Sequence, residues 1–272
     1  MATKFVICGA AGRMGRALSA AVQQTAGAEL VGAVEAPGNP AIGQDVGELS
    51  GIGRVGVAIG PDYRSVAAVD TVALDFSHPT ASLEHLRIAV EVGAAIAIGT
   101  TGFDAEQGKQ LDELATRTRC LIAPNMSVGV AVLQQIAHAA AVALGAEFDA
   151  EIVEMHHRMK VDAPSGTALA LARTVADAKH LDFDQDSVYG RHGTVGKRSD
   201  REIGIMALRG GGVVGDHTIV FASGTERIEL THRAQSRDCL ADGAVRGGLW
   251  LVNQPPGRYG MRDVLGFPAQ GS

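Results

Sequence analysis

Short apolar runs and amphipathic stretches alternate through the first half of the chain. Residues 4–8 (Lys-Phe-Val-Ile-Cys) form a buried-strand pattern, residues 16–22 space their apolar side chains as a helix does, and residues 29–35 form a second strand pattern. Strand patterns recur at 72–77, 94–98 and 120–123, with a helix expected over residues 80–92. This alternation predicts an open parallel sheet in an α/β domain. After Ser127 the pattern changes. Residues 128–144 are alanine-rich and apolar and predict a buried helix, residues 149–154 alternate as a strand, and residues 165–179 predict an amphipathic helix with Ser165 near its N-cap. Further strands are predicted at 203–208, 217–222 and 226–232, the last two joined by Ser223-Gly224-Thr225 as a three-residue hairpin loop. The second half is thus strand-rich and backed by helices. No repeat or low-complexity linker marks the boundary near residue 127; the change of pattern alone does.

Composition narrows the picture. The 272 residues suit two domains, and 46% hydrophobic with 20% charged residues is a globular balance. The 35 glycines fit many tight strand-to-helix turns. A net charge of −6 argues against a nucleic-acid partner. Cys8, Cys120 and Cys239 lie far apart with no C-x-x-C pair, which reads as free thiols in a reducing compartment. No uninterrupted apolar run reaches roughly 18 residues, and the N-terminal apolar run is short and broken at Arg13. The expectation is a cytoplasmic protein with no membrane partner.

The first strand runs into Gly9-Ala10-Ala11-Gly12-Arg13-Met14-Gly15 and then into the helix. Strand, glycine turn, helix and second strand make one βαβ unit, in which glycines let the backbone approach a pyrophosphate at the positive end of the helix. Glu35 ends the second strand, 20 residues after Gly15, where a carboxylate accepts from ribose hydroxyls. The spacing is G-x-x-G-x-x-G rather than the commoner G-x-G-x-x-G. Glu35 also bears on cofactor choice. A carboxylate about 4 Å from a 2′-phosphate is opposed by roughly 4 kcal/mol at an effective dielectric near 20. Ala36 offers no compensating charge, so NADH is the expected cofactor, with NADPH open if Arg13 or Arg16 reaches the phosphate. The loops Ser77-His78-Pro79, Gly99-Thr100-Thr101-Gly102 and Pro124-Asn125-Met126-Ser127 follow three strand ends and are expected to converge on the nicotinamide, the glycine–threonine loop offering small side chains and free N–H groups.

The richest chemistry lies in Glu154-Met-His156-His157-Arg158-Met159-Lys160-Val161-Asp162-Ala163-Pro164-Ser165-Gly166-Thr167. It combines imidazoles that exchange protons near neutral pH, an ammonium, and N–H groups at a helix start, a set suited to a small anionic substrate that needs a proton. His156 and His157 are adjacent, so at an extended strand end they face opposite ways. The residues themselves leave open which of the two does the chemistry. His138, His180, His192, His217 and His232 read as surface or structural, and Arg209 and Arg237 as lesser candidates for anion binding. No histidine or cysteine grouping has metal spacing, so no metal is expected. A cysteine nucleophile is disfavoured, because Cys120 opens its strand at the end away from the ligand crevice.

With Gly99-Thr100-Thr101-Gly102-Phe103, Asn125-Met126-Ser127-Val128-Gly129 and Met261-Arg262-Asp263-Val264-Leu265 added to these segments, the chain resembles the dihydrodipicolinate (4-hydroxy-tetrahydrodipicolinate) reductases of lysine and diaminopimelate biosynthesis over essentially its whole length. The resemblance implies reduction of a cyclic dicarboxylate imine by NAD(P)H. It implies a Rossmann-type dinucleotide-binding domain (1–127 and 237–272) and an α+β substrate-binding and oligomerisation domain with an open mixed sheet (128–236), assembled as a homotetramer. It further implies His156 as acid/base and Lys160 as proton donor, with His157, Ser165, Gly166 and Thr167 on the substrate carboxylates. Gly9, Ala10, Ala11, Gly12, Arg13, Met14, Glu35, Gly99, Thr100, Thr101, Ala123, Pro124, Asn125 and Met126 are implied on the cofactor. Family members that use both cofactors often carry Arg where this chain has Ala36.

Overall fold

The computed structural model describes residues 1–268. In chain order the elements are β1 (Thr3–Cys8), α1 (Arg13–Gln24), β2 (Ala28–Val34), α2 (Val46–Ser50), β3 (Ile59–Gly60), β4 (Thr71–Asp75), α3 (Pro79–Val92), β5 (Ala95–Ile98), α4 (Ala105–Ala115) and β6 (Arg119–Ile122). There follow α5 (Val128–Leu144), β7 (Asp149–His156), α6 (Gly166–Ala178), α7 (Phe183–Asp186), β8 (Ser187–Val188), β9 (Ile203–Arg209), β10 (Gly215–Ala222) and β11 (Arg227–Ala234). The chain closes with α8 (Asp238–Leu251), β12 (Gly257–Tyr259) and α9 (Met261–Val264). It divides into two compact units, Met1–Val128 with the chain from Arg237 onward, and Gly129–Ser236.

The first unit carries a seven-stranded sheet in the order β12-β6-β5-β4-β1-β2-β3, with every pairing parallel. The chain moves one way from β1 through β3 and the other way from β4 through β6, so a topological switch point lies between β1 and β4. Alternation along the strands feeds both faces. Val6, Cys8, Ala73 and Ile96 pack with Leu83, Leu86 and Ala89 of α3 and with Leu111 and Ala115 of α4. On the other face α8 packs against α1 and the central strands. A Cβ at Gly248 would come 2.4 Å from the Phe5 ring, so α8 sits too close to the sheet for any side chain there. Helix boundaries follow from local chemistry. Asp104 and Gln107 form a capping box on α4, while Pro79 opens α3 and Gly93, at φ 72°, closes it in the left-handed region.

The second unit is a five-stranded mixed sheet, β11-β10-β7-β9-β8, in which β10 runs antiparallel to β7 and β11. Ala150, Ile152, Ile203, Ile205, Ile219 and Phe221 pack against Leu133, Ala137 and Ala141 of α5 and Leu171, Ala172 and Val175 of α6. On the opposite face charged groups pair at one end. Arg191 grips both oxygens of Glu151 at 3.0 and 2.8 Å and also bonds Glu202, and Arg198 reaches Glu151 and Asp149 at 3.1 and 2.7 Å.

Two expectations need correction here. Residues 128–144 form the predicted helix, but it is not buried all round: Ile136 and Val142 are 48% and 58% exposed. Residues 128–147 are long and apolar enough to cross a bilayer by length and composition, a property the sequence reading missed because polar residues interrupt the run. The helix lays Leu133, Ala137 and Ala141 into the core of its own unit, as an amphipathic covering helix does. The β10–β11 hairpin closes with Ala222 opposite Arg227, so its loop has four residues, Ser223–Glu226, not three.

Candidate active site

Two sites emerge, one in each unit. In the first, β1 ends at Cys8 and the chain turns at Gly9 with φ +77°, a conformation that favours glycine. A Cβ on Gly15 would lie 2.2 Å from the Gly9 carbonyl oxygen and 2.6 Å from the Ala10 Cα, so only glycine lets α1 start this close to the turn. Gly12 occupies the N-cap of α1 and no side chain caps that helix, which leaves its first-turn N–H groups to a ligand. A cleft of about 350 Å³ lies here, lined by Gly9, Gly12, Glu35, Tyr63, Phe76 and His85 among others. Turn, uncapped helix start and cleft at the switch point together fit the pyrophosphate and adenosine end of a dinucleotide.

Glu35 accepts from the N–H groups of Ala11 and Ala36, each at 2.9 Å, and so ties the end of β2 to the glycine turn. Arg16 donates through Nε to the Ala11 carbonyl at 3.1 Å, which commits part of its guanidinium to the same turn. Arg13 is exposed and Met14 half-buried at the start of α1. Beneath the cleft Asp75 is fully buried and accepts from Ser77 (N–H 2.9 Å, Oγ 2.6 Å) and Ser82 Oγ (3.1 Å), with His85 Nδ1 at 2.8 Å. Of this network only Ser77 lies in a loop that the sequence pointed to; Ser82 and His85 did not stand out.

In the other two loops part of the backbone is already bonded. The Gly99 N–H is not free, since it donates to the Asp75 carbonyl at 2.8 Å, and Thr100 is buried with its hydroxyl bonded to Ser82 at 2.7 Å. Strand pairing thus continues one residue past β5 and engages the Gly99 N–H, while the Thr100 hydroxyl joins the side-chain network on α3. Thr101 is exposed. Ala123 donates its N–H to the Ile98 carbonyl at 3.1 Å, Asn125 accepts from the Ser127 N–H at 2.9 Å, and Met126 is fully buried. A Cβ at Gly243 of α8 would strike the Met126 carbonyl oxygen, so this loop, which also holds Pro124, is packed against α8. Neither loop lines the 350 Å³ cleft.

In the second unit the core-facing rows of three adjacent strands turn polar at one end of the sheet. On β7 the row Ala150, Ile152 continues as Glu154 and His156; on β10 Phe221 and Ile219 give way to His217 and Gly215; on β9 Ile203 and Ile205 lead to Arg209. Register brings these groups together, His217 lying opposite Glu154 and Arg209 opposite His156. Glu154 is completely buried. Its Oε2 accepts from His156 Nδ1 at 2.6 Å and Arg209 Nη1 at 2.8 Å, and its Oε1 from Arg209 Nη2 at 2.9 Å and the Ser165 N–H at 3.0 Å. Burial pushes the Glu154 carboxyl up, but the bonds from Arg209, His156 and Ser165 outweigh it and hold the group below the usual carboxylate value.

Ser165 caps α6 by accepting from the Ala168 N–H at 3.1 Å, and its hydroxyl lies 3.1 Å from His217 Nε2. Burial, and next the nearby His156, lower His217 to about 4, so its ring is neutral near pH 7. Its Nδ1 is buried without a partner. Leaving a bare nitrogen there costs less than leaving an orphaned N–H, which favours the tautomer that donates through Nε2 to Ser165. Lys160 donates to Asp162 at 2.9 Å and keeps that carboxyl below its ordinary value. His157 is half-buried beyond the end of β7, and Gly166 and Thr167 open α6.

The structure thus adds His217 and Gly215 to the residues singled out from the sequence, and gives Glu154 and Arg209 a place beside His156 that the sequence did not. His217 is not a surface histidine but a buried member of this cluster. Arg209 is not an open anion site, because its terminal nitrogens go to Glu154 and to the carbonyls of Leu208 and Asp162. The Glu154–His156 spacing of two on one strand was a usable signal; the partners across β9 and β10 needed the register. Burial raises the Cys120 thiol to about 12, which leaves no nucleophile there.

A model of the N-terminal domain of dihydrodipicolinate reductase matches residues 3–126, and one of its C-terminal domain matches residues 129–265. The chain belongs to the dihydrodipicolinate reductase family. It is an oxidoreductase whose first unit is a Rossmann-type, NAD(P)-binding fold. Relatives called 4-hydroxy-tetrahydrodipicolinate reductase from Magnetococcus marinus and Alkalilimnicola ehrlichii are each 49% identical over 267 residues, covering 98% of this chain and 100% of theirs. A dipicolinate-bound dihydrodipicolinate reductase from a Paenisporosarcina species is similar in structure, with TM-score 0.75 and 27% identity, covering 97% of this chain and 99% of that one.

Proposed function

We propose that this member of the dihydrodipicolinate reductase family reduces 4-hydroxy-tetrahydrodipicolinate to tetrahydrodipicolinate, with NADH as the better donor. Water is lost from the ring, hydride adds to the resulting conjugated imine, and a proton is taken up at the adjacent carbon. The nicotinamide supplies the hydride when bound. His156 exchanges the proton and Lys160 donates; Ser165, Gly166, Thr167 and His157 bind the two carboxylates through N–H, hydroxyl and imidazole donors at the start of α6. The observation that carries this reading is the buried Glu154–His156–Ser165 assembly at a helix N-terminus, in a chain whose family match spans both units.

The cofactor set is the one read from the sequence. Gly9 to Met14 take the pyrophosphate, Glu35 the adenosine ribose, and the loops 99–101 and 123–126 the nicotinamide end by their backbone. Glu35 sits in the cleft beside Ala36, and that pairing supports NADH over NADPH. Residues 1–127 and 237–272 act as the nucleotide domain and 128–236 as the substrate and assembly domain of a cytoplasmic homotetramer. Light scattering on the purified chain tests the assembly.

The activity test follows nicotinamide absorbance with substrate generated from pyruvate and aspartate semialdehyde by the preceding synthase. Turnover with NADH well above NADPH is expected. Equal rates would remove the cofactor preference, and no oxidation by protein that still binds NADH would remove the reaction.

A further inference from the structure

The sequence pointed to His156 and Lys160, and neither explains why a carboxylate with no solvent exposure sits directly behind the imidazole. We propose that Glu154 is a positioning residue that fixes His156 with its proton on Nδ1, so that Nε2 is the atom that exchanges a proton with substrate. This rests on the assignment of His156 as the acid/base.

Three of the four groups bonded to Glu154 can only donate. They are both Arg209 nitrogens and the Ser165 N–H, at 2.8, 2.9 and 3.0 Å. A carboxyl gripped by three obligate donors is ionised, and an ionised carboxylate can only accept. His156 Nδ1, 2.6 Å away, must therefore carry hydrogen. Arg209 compensates the charge, which lets an anion persist with no exposed surface.

The opposite edge of the ring is kept clear. A Cβ built on Gly215 would lie only 3.0 Å from His156 Nε2, so any other residue there would crowd the nitrogen. The His217 ring stands edge-on to His156 at 5.2 Å between centroids, and its Nε2 is engaged with Ser165, so it does not compete for Glu154. The ionisable groups near His156 include Glu154 on β7, His157 just beyond it, Arg209 on β9 and His217 on β10. Of these Glu154 is the one bonded to the ring. The same carboxylate holds the Ser165 N–H, and so one buried residue sets both the acid/base and the start of the helix that meets the substrate carboxylates.

Glu154→Gln separates orientation from shape. The amide must present its NH₂ to one pair of partners. The Ser165 N–H cannot turn acceptor, whereas His156 can, by moving its proton to Nε2. The substituted amide therefore inverts the His156 tautomer and removes the acceptor at Nε2. Nitrogen-15 spectra of histidine-labelled enzyme, with His156 identified through His156→Asn, read the tautomer directly.

With the ring neutral, the native enzyme should show the proton on Nδ1 and a bare Nε2, and Glu154→Gln the reverse. The variant's kcat should fall about 10²–10⁴-fold, the usual worth of a general acid–base. Its affinity for dipicolinate and NADH should change less than about tenfold. A native His156 whose neutral ring carries its proton on Nε2 overturns the proposal even if the variant does not fold. A variant with near-native kcat overturns it as well, while loss of activity in His156→Asn leaves the acid/base assignment standing. An active His156→Asn overturns both.

Discussion

Replacing Arg209 with methionine keeps most of the apolar stem but removes two of the four hydrogen bonds onto a buried carboxylate. Each charge-assisted bond contributes about 1.5–3 kcal/mol, so the pair is worth about 3–6. Breaking a buried ion pair from one side costs about 3–5 kcal/mol for the charge left behind, which agrees. The pH dependence carries the sharper signature. In the native protein Glu154 is held below its unfolded value, so its stabilisation is complete above roughly pH 4.3 and is lost as pH falls through the lower folded value. In the variant, burial acts against only His156 and Ser165, and the folded value moves upward. The deficit is then largest at about pH 8 and shrinks as the medium becomes acid enough to protonate the buried group. Denaturant unfolding at fixed protein concentration, at about pH 8 and about pH 5.5, reads this difference. A loss under about 1 kcal/mol at both pH values, or a deficit that grows towards acid, would refute the account of Glu154 as a buried anion sustained by Arg209.

Gly15→Ala puts a methyl 2.2 Å from the Gly9 carbonyl oxygen, and the turn must shift. NADH affinity should drop by about tenfold or more with about 1–3 kcal/mol of stability, read by calorimetric titration and denaturant unfolding. Ala36→Arg places a cation beside Glu35 and should raise kcat/KM for NADPH by about tenfold, equivalent to about 1.4 kcal/mol, with little change for NADH; no gain would remove the charge argument. His217 takes up a proton near 6.5 in the unfolded chain but only at about 4 in the folded one, so acid favours unfolding between those values. His217→Gln should flatten the fall in stability over that interval by about 3 kcal/mol in urea titrations across pH.

The first unit was legible because its signals are local. A strand, a glycine turn, a helix and an acid 20 residues on are consecutive in the chain, and the structure places Gly9, Gly12 and Glu35 around one cleft. Prediction weakened where hydrogen bonds cross between loops. Gly99 looks like an open donor in sequence, yet strand extension takes its N–H, and the Thr100 hydroxyl accepts from Ser82 in the network around Asp75. In the second unit His156 and Ser165 stood out by residue type and by the N-cap position, whereas His217 looked like a surface or structural histidine and Arg209 like a lesser anion-binding candidate. Nothing near them in the chain marks them as partners of residues some 50 positions away.

By itself the sequence pointed to the main strands and several helices, to a glycine turn suited to a dinucleotide, and to one segment rich in proton-exchanging side chains, because period, glycine placement and side-chain chemistry act over a few residues. The tertiary structure alone decided that Glu154, His156, His217 and Arg209 meet. That meeting depends on the pairing register of three strands, and a shift of one residue would turn each row to the other face of the sheet.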